Sequence, residues 1–445
     1  MSKDIHKKKH LSSFQLIILG FAGVILLGAI ILMLPVSSAE GVMTPFNQTL
    51  FTSTSAVCVT GLAVLDTGSY WSVFGQVVIL LLIQIGGLGV VTVAVSVFML
   101  SGRKISLMQR STMQNAISAH KVGGIVRLTK FILKGTLFIE MAGALALLPV
   151  FYHDFGRKGI WMAVFHSISA FCNAGFDILG TPANPFPSIT AYAGNPIVNV
   201  VIMFLIIAGG IGFLTWEDIC INKIHFRKYH MQSKIILVTT AFLIVLPAIF
   251  FFFSDFTYLS VGKRLLASAF QAVTPRTAGF NTMDISKMTE VSKAMIIILM
   301  LVGGSPSSTA GGMKTTTFAV LILNAFATFR SQENVETFGR RIEYSVIKNA
   351  STIAMMYCML FLCGGITISV YEGLPLLECL YEAASAVGTV GLTLGITPKL
   401  HIVSQFILII LMYLGRVGGL TLIYAVLSKK KKGNARLPLE KLTVG

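Results

Sequence analysis

Four short stretches of this chain share one pattern, a glycine set before an apolar residue. They are Ser55-Ala56-Val57-Cys58-Val59-Thr60-Gly61-Leu62, Ser169-Ala170-Phe171-Cys172-Asn173-Ala174-Gly175-Phe176, Ala272-Val273-Thr274-Pro275-Arg276-Thr277-Ala278-Gly279-Phe280 and Ser385-Ala386-Val387-Gly388-Thr389-Val390-Gly391-Leu392. Successive glycines stand 114, 104 and 112 residues apart. Glycine lacks a Cβ and adopts the unusual dihedrals that turn successive carbonyls toward one axis. A ring of carbonyls drawn from four such loops can replace the hydration shell of a bare cation. The candidate ion-binding residues are therefore Val59, Thr60, Gly61; Asn173, Ala174, Gly175; Thr277, Ala278, Gly279; and Thr389, Val390, Gly391.

Loops of this kind need a scaffold that holds them at one depth, and the composition indicates which. Of 445 residues 54% are hydrophobic and 12% charged, and mean hydropathy is +0.79. A soluble protein carries about 25% charged residues, so the chain reads as an integral membrane protein. Its net charge of +17 is clustered. Arg103, Lys104, Arg110, Lys121, Arg127, Lys130 and Lys134 form one group without an acid; Lys223, Arg227, Lys228 and Lys234 form a second. A third, Arg330, Arg340, Arg341 and Lys348, is mixed with Glu333, Glu336 and Glu343, and Lys429-Lys430-Lys431-Lys432 begins the tail. A nucleic-acid surface is one reading of such patches. Excess Lys and Arg in cytoplasmic loops is the better one, and no nucleic-acid partner is expected. With Lys7-Lys8-Lys9, these clusters put both termini and three loops inside the cell and the glycine motifs outside, although 255–293, placed outside, is also fairly basic. The six cysteines lack metal-ligand spacing, and the span Phe14 to Leu34 reads as a retained helix.

The chain divides into four similar units: an apolar helix (M1), a segment of about a dozen residues too short to cross, the glycine motif and a second apolar helix (M2). Unit one is 14–100, unit two 126–221, unit three 232–329 and unit four 345–428. The N-terminus 1–13, the loops 101–125, 222–231 and 330–344, and the C-terminus 429–445 are cytoplasmic. The expected fold is an all-α polytopic membrane protein. It has four parallel M1–pore loop–M2 repeats with pseudo-fourfold symmetry around one pore, eight transmembrane helices and four re-entrant loops. Irregular backbone at membrane depth is tolerated where it lines a cavity or is buried in protein.

M2 carries its own glycines: Gly86-Gly87-Leu88-Gly89, Gly209-Gly210-Ile211-Gly212, Gly303-Gly304 and Gly418-Gly419-Leu420. They suit close helix packing, a flexible point, or both. In unit three the M2 pattern is interrupted by Gly303-Gly304-Ser305-Pro306-Ser307-Ser308-Thr309-Ala310-Gly311-Gly312-Met313-Lys314-Thr315. Four glycines and a proline break a helix. The stretch reads as an intramembrane gate loop at 303–315 below the filter, against the alternative of a kink. Arg416 lies in the last apolar span, where a charge is costly and usually functional. It reads as a fixed positive charge under the filter; the alternative is an ion pair with Glu378 or Glu382. Arg276 reads as a brace behind its loop. Asp66, Asp177 and Asp284 follow filter glycines and serve as mouth acids that concentrate cations or as ordinary caps. Glu140 is given no role.

Thr389-Val390-Gly391-Leu392 is close to the Thr-Val-Gly-Tyr of potassium channels. With Thr274-Pro275-Arg276-Thr277-Ala278-Gly279-Phe280, the 303–314 loop and Arg416, the chain resembles the Trk/Ktr/HKT superfamily of potassium uptake proteins over nearly all of 14–428. It is most similar to the Ktr-type, KtrB-like membrane subunits, because its first span starts near Phe14 without extra N-terminal helices. The resemblance implies potassium (K+) as the transported ion at the filter carbonyls, with Gly61 favouring potassium over sodium, and sodium (Na+) as an activator. It implies a homodimer with one pore per subunit in a bacterial plasma membrane. It implies regulation by a cytosolic KtrA-like octameric RCK ring that binds ATP and ADP, and a gate formed by the residues matching 303–315. No nucleotide-binding motif is visible, and no organic cofactor is expected in this chain.

Sodium or ammonium conduction is the alternative transport reading; single glycines at all four sites favour potassium. A membrane enzyme would need acids or histidines gathered at one membrane face. His120, His153, His166, His225, His230 and His401 are scattered, and no paired-carboxylate motif appears. A scaffold would not need four re-entrant loops.

Overall fold

The computed structural model describes residues 12–100, 110–114, 124–419 and 421, with 97–100 as backbone. Lys7-Lys8-Lys9, the tail Lys429-Lys430-Lys431-Lys432 and most of the loop 101–125 lie outside the described residues. Among the described residues four long helices are apolar enough to cross a membrane: α1 (Ser13–Met33), α5 (Ile125–Phe155), α9 (Met231–Ser254) and α13 (Tyr344–Glu372). Here α2 to α4, α6 to α8 and α10 to α12 are the helices that follow them in chain order, and α14 and α15 follow α13. The start of α1 is fixed by Ser12, whose hydroxyl accepts from Gln15 N at 3.2 Å while the Gln15 side chain accepts from Ser12 N at 3.0 Å. This reciprocal cap satisfies two of the orphan donors of a helix start.

Each long helix is followed by a short one packed along it: α2 (Phe46–Val57), α6 (Lys158–Phe171), α10 (Val261–Val273) and α14 (Leu376–Gly388). Their 12 to 14 residues span about 20 Å at 1.5 Å per residue, short of the roughly 30 Å of hydrocarbon. Outward faces of the long helices carry Leu27 and Ile30 of α1, Phe138 and Leu145 of α5, Phe253 of α9 and Met355 of α13, all exposed. Such apolar surface is unfavourable in water and suits lipid. The core is mainly apolar, with polar side chains gathered around the loops. The short helices and the loops after them bury Thr52, Ser53, Ser55, Thr60, Ser169, Asn173 and Thr277.

In units one, two and four the helix after the glycine motif departs from the sequence expectation of one continuous M2, whereas unit three is interrupted as expected. In unit one α3 (Val73–Leu88) and α4 (Val90–Leu100) meet at a bend of 99°. In unit two α7 (Pro196–Gly210) and α8 (Phe213–Asn222) also meet at 99°. Counting each bent pair as one span, up to six spans among the described residues pass by length and composition. In unit three α11 (Glu290–Leu301) and α12 (Thr315–Phe329) are parted by a loop, and in unit four α15 (Ile402–Val417) stops at Gly418. The cause is local. Gly89, Gly212 and Gly418 hold φ of +86°, +92° and +86°, a left-handed backbone that ends a helix and that L side chains resist.

Three residues earlier, Gly86, Gly209 and Gly415 sit where an added Cβ would collide with the carbonyls of Val57, Phe171 and Val387. Contact and bend together match Gly415-Arg416-Val417-Gly418 to Gly86-Gly87-Leu88-Gly89 and Gly209-Gly210-Ile211-Gly212. This corrects the sequence alignment, which put Gly418-Gly419-Leu420 in that place. The register slips because Arg416 stands where units one and two have their second glycine. Beyond α12 a two-strand hairpin, β1 (Glu336–Thr337) and β2 (Arg340–Arg341), leads to α13. Its Phe338 meets Phe226 edge-on, with the Lys234 ammonium 5.8 Å and 6.0 Å from the two rings.

Candidate functional site

The four short helices end where the glycine triplets begin. Each triplet has a positive φ at its first and third residues: Val59 51° and Gly61 91°, Asn173 58° and Gly175 68°, Thr277 62° and Gly279 80°, Thr389 51° and Gly391 93°. The middle residues, Thr60, Ala174, Ala278 and Val390, keep negative φ and are fully buried. Alternation of left- and right-handed residues sets successive carbonyls on one side of a strand, which a uniform helix or strand does not do.

The triplets meet in a closed ring. A Cβ on Gly61 would strike the carbonyl of Ala174, one on Gly175 that of Ala278, one on Gly279 that of Val390, and one on Gly391 that of Thr60. The same added atoms would lie 2.9 to 3.2 Å from the next glycine's Cα. Units one to four therefore follow one another around a single axis, and no side chain fits at the ring. The C-termini of the four short helices, the negative ends of their dipoles, abut it. Backbone carbonyls and helix ends of this sign suit a bare monovalent cation.

A hydroxyl at the end of each short helix braces its loop. Ser55 Oγ accepts from Gly61 N at 3.1 Å and Ser385 Oγ from Gly391 N at 3.0 Å. Ser169 Oγ donates to Phe176 O at 2.7 Å and Thr274 Oγ1 to Phe280 O at 2.6 Å. Sequence reasoning overlooked these four. Their signal was a hydroxyl residue five or six positions before every ring glycine.

Beneath the ring lies the loop between α11 and α12. A Cβ on Gly311 would touch the Thr389 hydroxyl, and one on Gly312 would come 2.8 Å from Gly388 O. The loop's N–H groups find partners at the broken helices: Ser305 N on Gly210 O at 2.9 Å, Thr309 N on Gly209 O at 3.2 Å and Gly312 N on Gly415 O at 3.3 Å. In return Phe213 N donates to Ser307 O at 2.7 Å. A helix break orphans carbonyls, and a loop without secondary structure orphans amides; each set satisfies the other here. Gly303 N on Met313 O at 2.8 Å and Thr315 N on Gly304 O at 3.0 Å close the loop's base. Pro306 O lies against Gly212, Ser308 Oγ donates to Ser305 O at 2.7 Å, and Lys314 Nζ folds back onto Ala310 O at 2.8 Å. A simple kink would need none of this.

Arg416 crosses under the ring. Its Nη1 donates to Thr309 O in the loop, and its Nη2 to Gly86 O and, at 3.1 Å, to Gly87 O. It thus joins unit four to the loop and to unit one. The ion-pair alternative is not met: among the described residues no ion pair includes Arg416, and Glu382 accepts from Thr393 Oγ1 and, at 2.7 Å, from Thr397 Oγ1. Asn173 adds a second tie, unseen in the sequence. Its side chain accepts from Thr309 Oγ1 at 3.1 Å and donates to Arg276 O at 3.2 Å. Arg276 is buried behind the loop with Nη2 3.5 Å from Gly303 O, in keeping with a brace. A cavity of about 680 Å³ adjoins the loop, lined among others by Gly87, Pro306, Ala310, Lys314, Tyr357 and Arg416.

The three aspartates have separate settings. Asp66 is 6% exposed; it accepts from Ser69 N at 2.8 Å and Ser69 Oγ at 2.7 Å, and from Phe186 N at 2.8 Å. It therefore clamps the loop after the second triplet to the loop after the first, as a cap would. Asp66→Ala leaves two backbone N–H groups without acceptors and is expected to cost about 3 kcal/mol. Thermal unfolding of the purified chain checks this, and an unchanged midpoint would rule out the clamp. Asp177 accepts from Leu179 N at 3.1 Å. The Ser286 hydroxyl at 2.6 Å, and then Lys287 at 3.2 Å, hold the exposed Asp284 carboxyl below the usual carboxylate range.

A family profile named TrkH, described as cation transport protein, matches residues 12–434. The chain belongs to the TrkH family of cation transport proteins. It is 38% identical to the potassium/sodium uptake protein NtpJ of Enterococcus hirae, covering 98% of each chain. It is also 38% identical to the Ktr system potassium uptake protein B of Bacillus subtilis, covering 95% of each. The crystal structure of the potassium transporter TrkH from Vibrio parahaemolyticus superposes with a TM-score of 0.74 at 17% identity, over 96% of this chain and 87% of that one. A TrkH-family chain is a multi-pass membrane transporter and not an enzyme. The resemblance read from the four motifs, the loop and Arg416 is therefore right as to family.

Proposed function

We propose that this chain is a potassium uptake subunit. Potassium sheds water at the carbonyls of Val59, Thr60, Gly61, Asn173, Ala174, Gly175, Thr277, Ala278, Gly279, Thr389, Val390 and Gly391. The loop 303–315 and Arg416 form the gate beneath. The observation that carries this reading is the closed ring in which each filter glycine lies against the next unit's middle carbonyl. The gate reading is supported by the loop's place under Thr389 and by the contacts of Arg416 with three carbonyls of two other units.

Both termini and the three basic loops face the cytoplasm of a bacterial cell. There they offer a docking surface to an octameric RCK ring responsive to ATP and ADP. The membrane subunit pairs as a homodimer, and sodium stimulates it. These readings rest on the basic clusters and on similarity to Ktr system proteins.

The test is rubidium uptake into proteoliposomes holding the full chain. Unlabelled potassium is expected to suppress uptake and equal sodium to leave it largely intact. Equal suppression by both would refute potassium preference and favour the second reading, uptake of potassium and sodium alike, which the name of the Enterococcus hirae relative suggests.

A further inference from the structure

Glu140 lies well inside α5 and is 6% exposed. Its Oε2 accepts from Gln84 Nε2 of α3 at 3.2 Å, and its Oε1 lies 3.9 Å from the Cys172 thiol. That thiol is 3.4 Å from Gln84 Oε1, and Ser167 Oγ donates to the Glu140 carbonyl at 2.6 Å. A carboxylate within a membrane and without a cation costs several kcal/mol. Among the described residues Glu140 has no such ion pair.

The elements around it leave one positive group in play. α7, packed along α5, has no ionisable residue. From the end of α6 comes Cys172; His166 turns Nδ1 to Met162 O and its ring to Phe151, and Lys158 stands at the opposite end. α8 reaches α5 at Gly135 through Trp216, and its Asp218 is engaged by His230 N and Asn222 Nδ2. Along α5 itself Lys134 is exposed. α3 offers Gln84 and, at its last turn, the Gly86 and Gly87 carbonyls that hold Arg416. Cys172 Sγ lies against that turn: a Cβ on Gly87 would come 2.8 Å from it. Cys172 also precedes Asn173, which holds Thr309.

We infer that Glu140, with Gln84 and Cys172, is a proton-binding site behind the second filter loop that sets the hold of Arg416 on the gate loop. With its proton, Glu140 is neutral and satisfied by the amide and the thiol, and Arg416 stays on Thr309 O. When the Glu140 O–H bond breaks, the proton passes to solvent water; the cavity below the ring reaches Gly87, which Cys172 adjoins, and not Glu140 itself. The new negative charge, poorly screened in a low dielectric, acts on Arg416 across Cys172 and the α3 turn and favours its bonds to Gly86 O and Gly87 O over the one to Thr309 O. Alkaline pH thus favours the open gate. The effect on flux rests on the gate reading above; the proton site does not.

Two readouts on the full chain in lipid test this. Infrared difference spectra, taken from acid to alkaline pH, are expected to show a carboxylic C=O band that fades as pH rises and is missing in Glu140→Gln. Gln84→Leu, which removes a donor to the ionised form, moves the midpoint up by about one pH unit and serves if Glu140→Gln fails to fold. Rubidium uptake of the same proteins is expected to rise several-fold across that midpoint in wild type and to lack the step in Glu140→Gln. Absence of a band dependent on Glu140 would overturn the proton site. A titrating band with identical uptake profiles in wild type and Glu140→Gln would overturn its coupling to the gate. No uptake by any protein at any pH would defeat the transport reading, and the band would still decide the site.

Discussion

Gly391→Ser is expected to lower the preference for potassium over sodium by at least tenfold in rubidium uptake. Gly391 holds φ of +93°, and a Cβ there would strike the Thr60 carbonyl and lie 3.0 Å from Gly61 Cα. Both obstacles are backbone, so nothing swings aside. The left-handed conformation costs a side chain about 1 kcal/mol, and overpacking adds about 1–3 kcal/mol. About 1.4 kcal/mol corresponds to tenfold, so tilting one carbonyl off the axis suffices. Gly395 supplies the control. It holds φ of +90°, yet a Cβ there has nothing within 4 Å. Gly395→Ser therefore bears the same backbone strain without the collision and should keep its selectivity. If both variants behaved alike, ring contact would not be what selects.

Arg416→Ala is expected to raise basal uptake by about tenfold or more. Hydrogen bonds from a charged group contribute about 1.5–3 kcal/mol each. Arg416 places one on the gate loop and two on the end of α3. Removing them loosens the loop, and removing the charge lowers the electrostatic barrier to a cation below the ring. Arg416→Lys keeps the charge and loses the planar fork, so uptake should fall between wild type and alanine. Deleting Ser305–Gly312 should raise uptake further, although it strips Gly209, Gly210 and Gly415 of their amide partners and so needs a folding check. Wild-type uptake from well-folded Arg416→Ala would remove it from the gate.

How much was legible follows from which signals are local. The four ring glycines could be found because a ring without room for Cβ atoms demands glycine whatever the surroundings. The break at 303–315 could be found because Gly, Pro, Ser and Thr in an apolar run leave no helix possible. The bends at Gly89 and Gly212 were not legible, since a glycine in an apolar helix signals close packing equally well, and Gly86 and Gly209 are packed. Arg416 was legible as costly, but not its partners, because backbone carbonyls leave no mark in a sequence. Asp66 and Phe186 meet across 120 residues, and Glu140 and Gln84 across 56; no periodicity carries such pairings.

One guanidinium occupies a place that units one and two give to glycine. In a ring of four separate identical subunits, an arginine at that position would appear four times around one axis. Mutual repulsion would push the four apart, and no single arm could close over a neighbour's loop. Joining the units in one polypeptide removes that constraint. A mutation then alters one quadrant at a time, and the copies are free to divide labour. The third carries a loop where the first two carry a bend, the fourth supplies the arm that reaches it, and the first supplies the carbonyls that receive that arm.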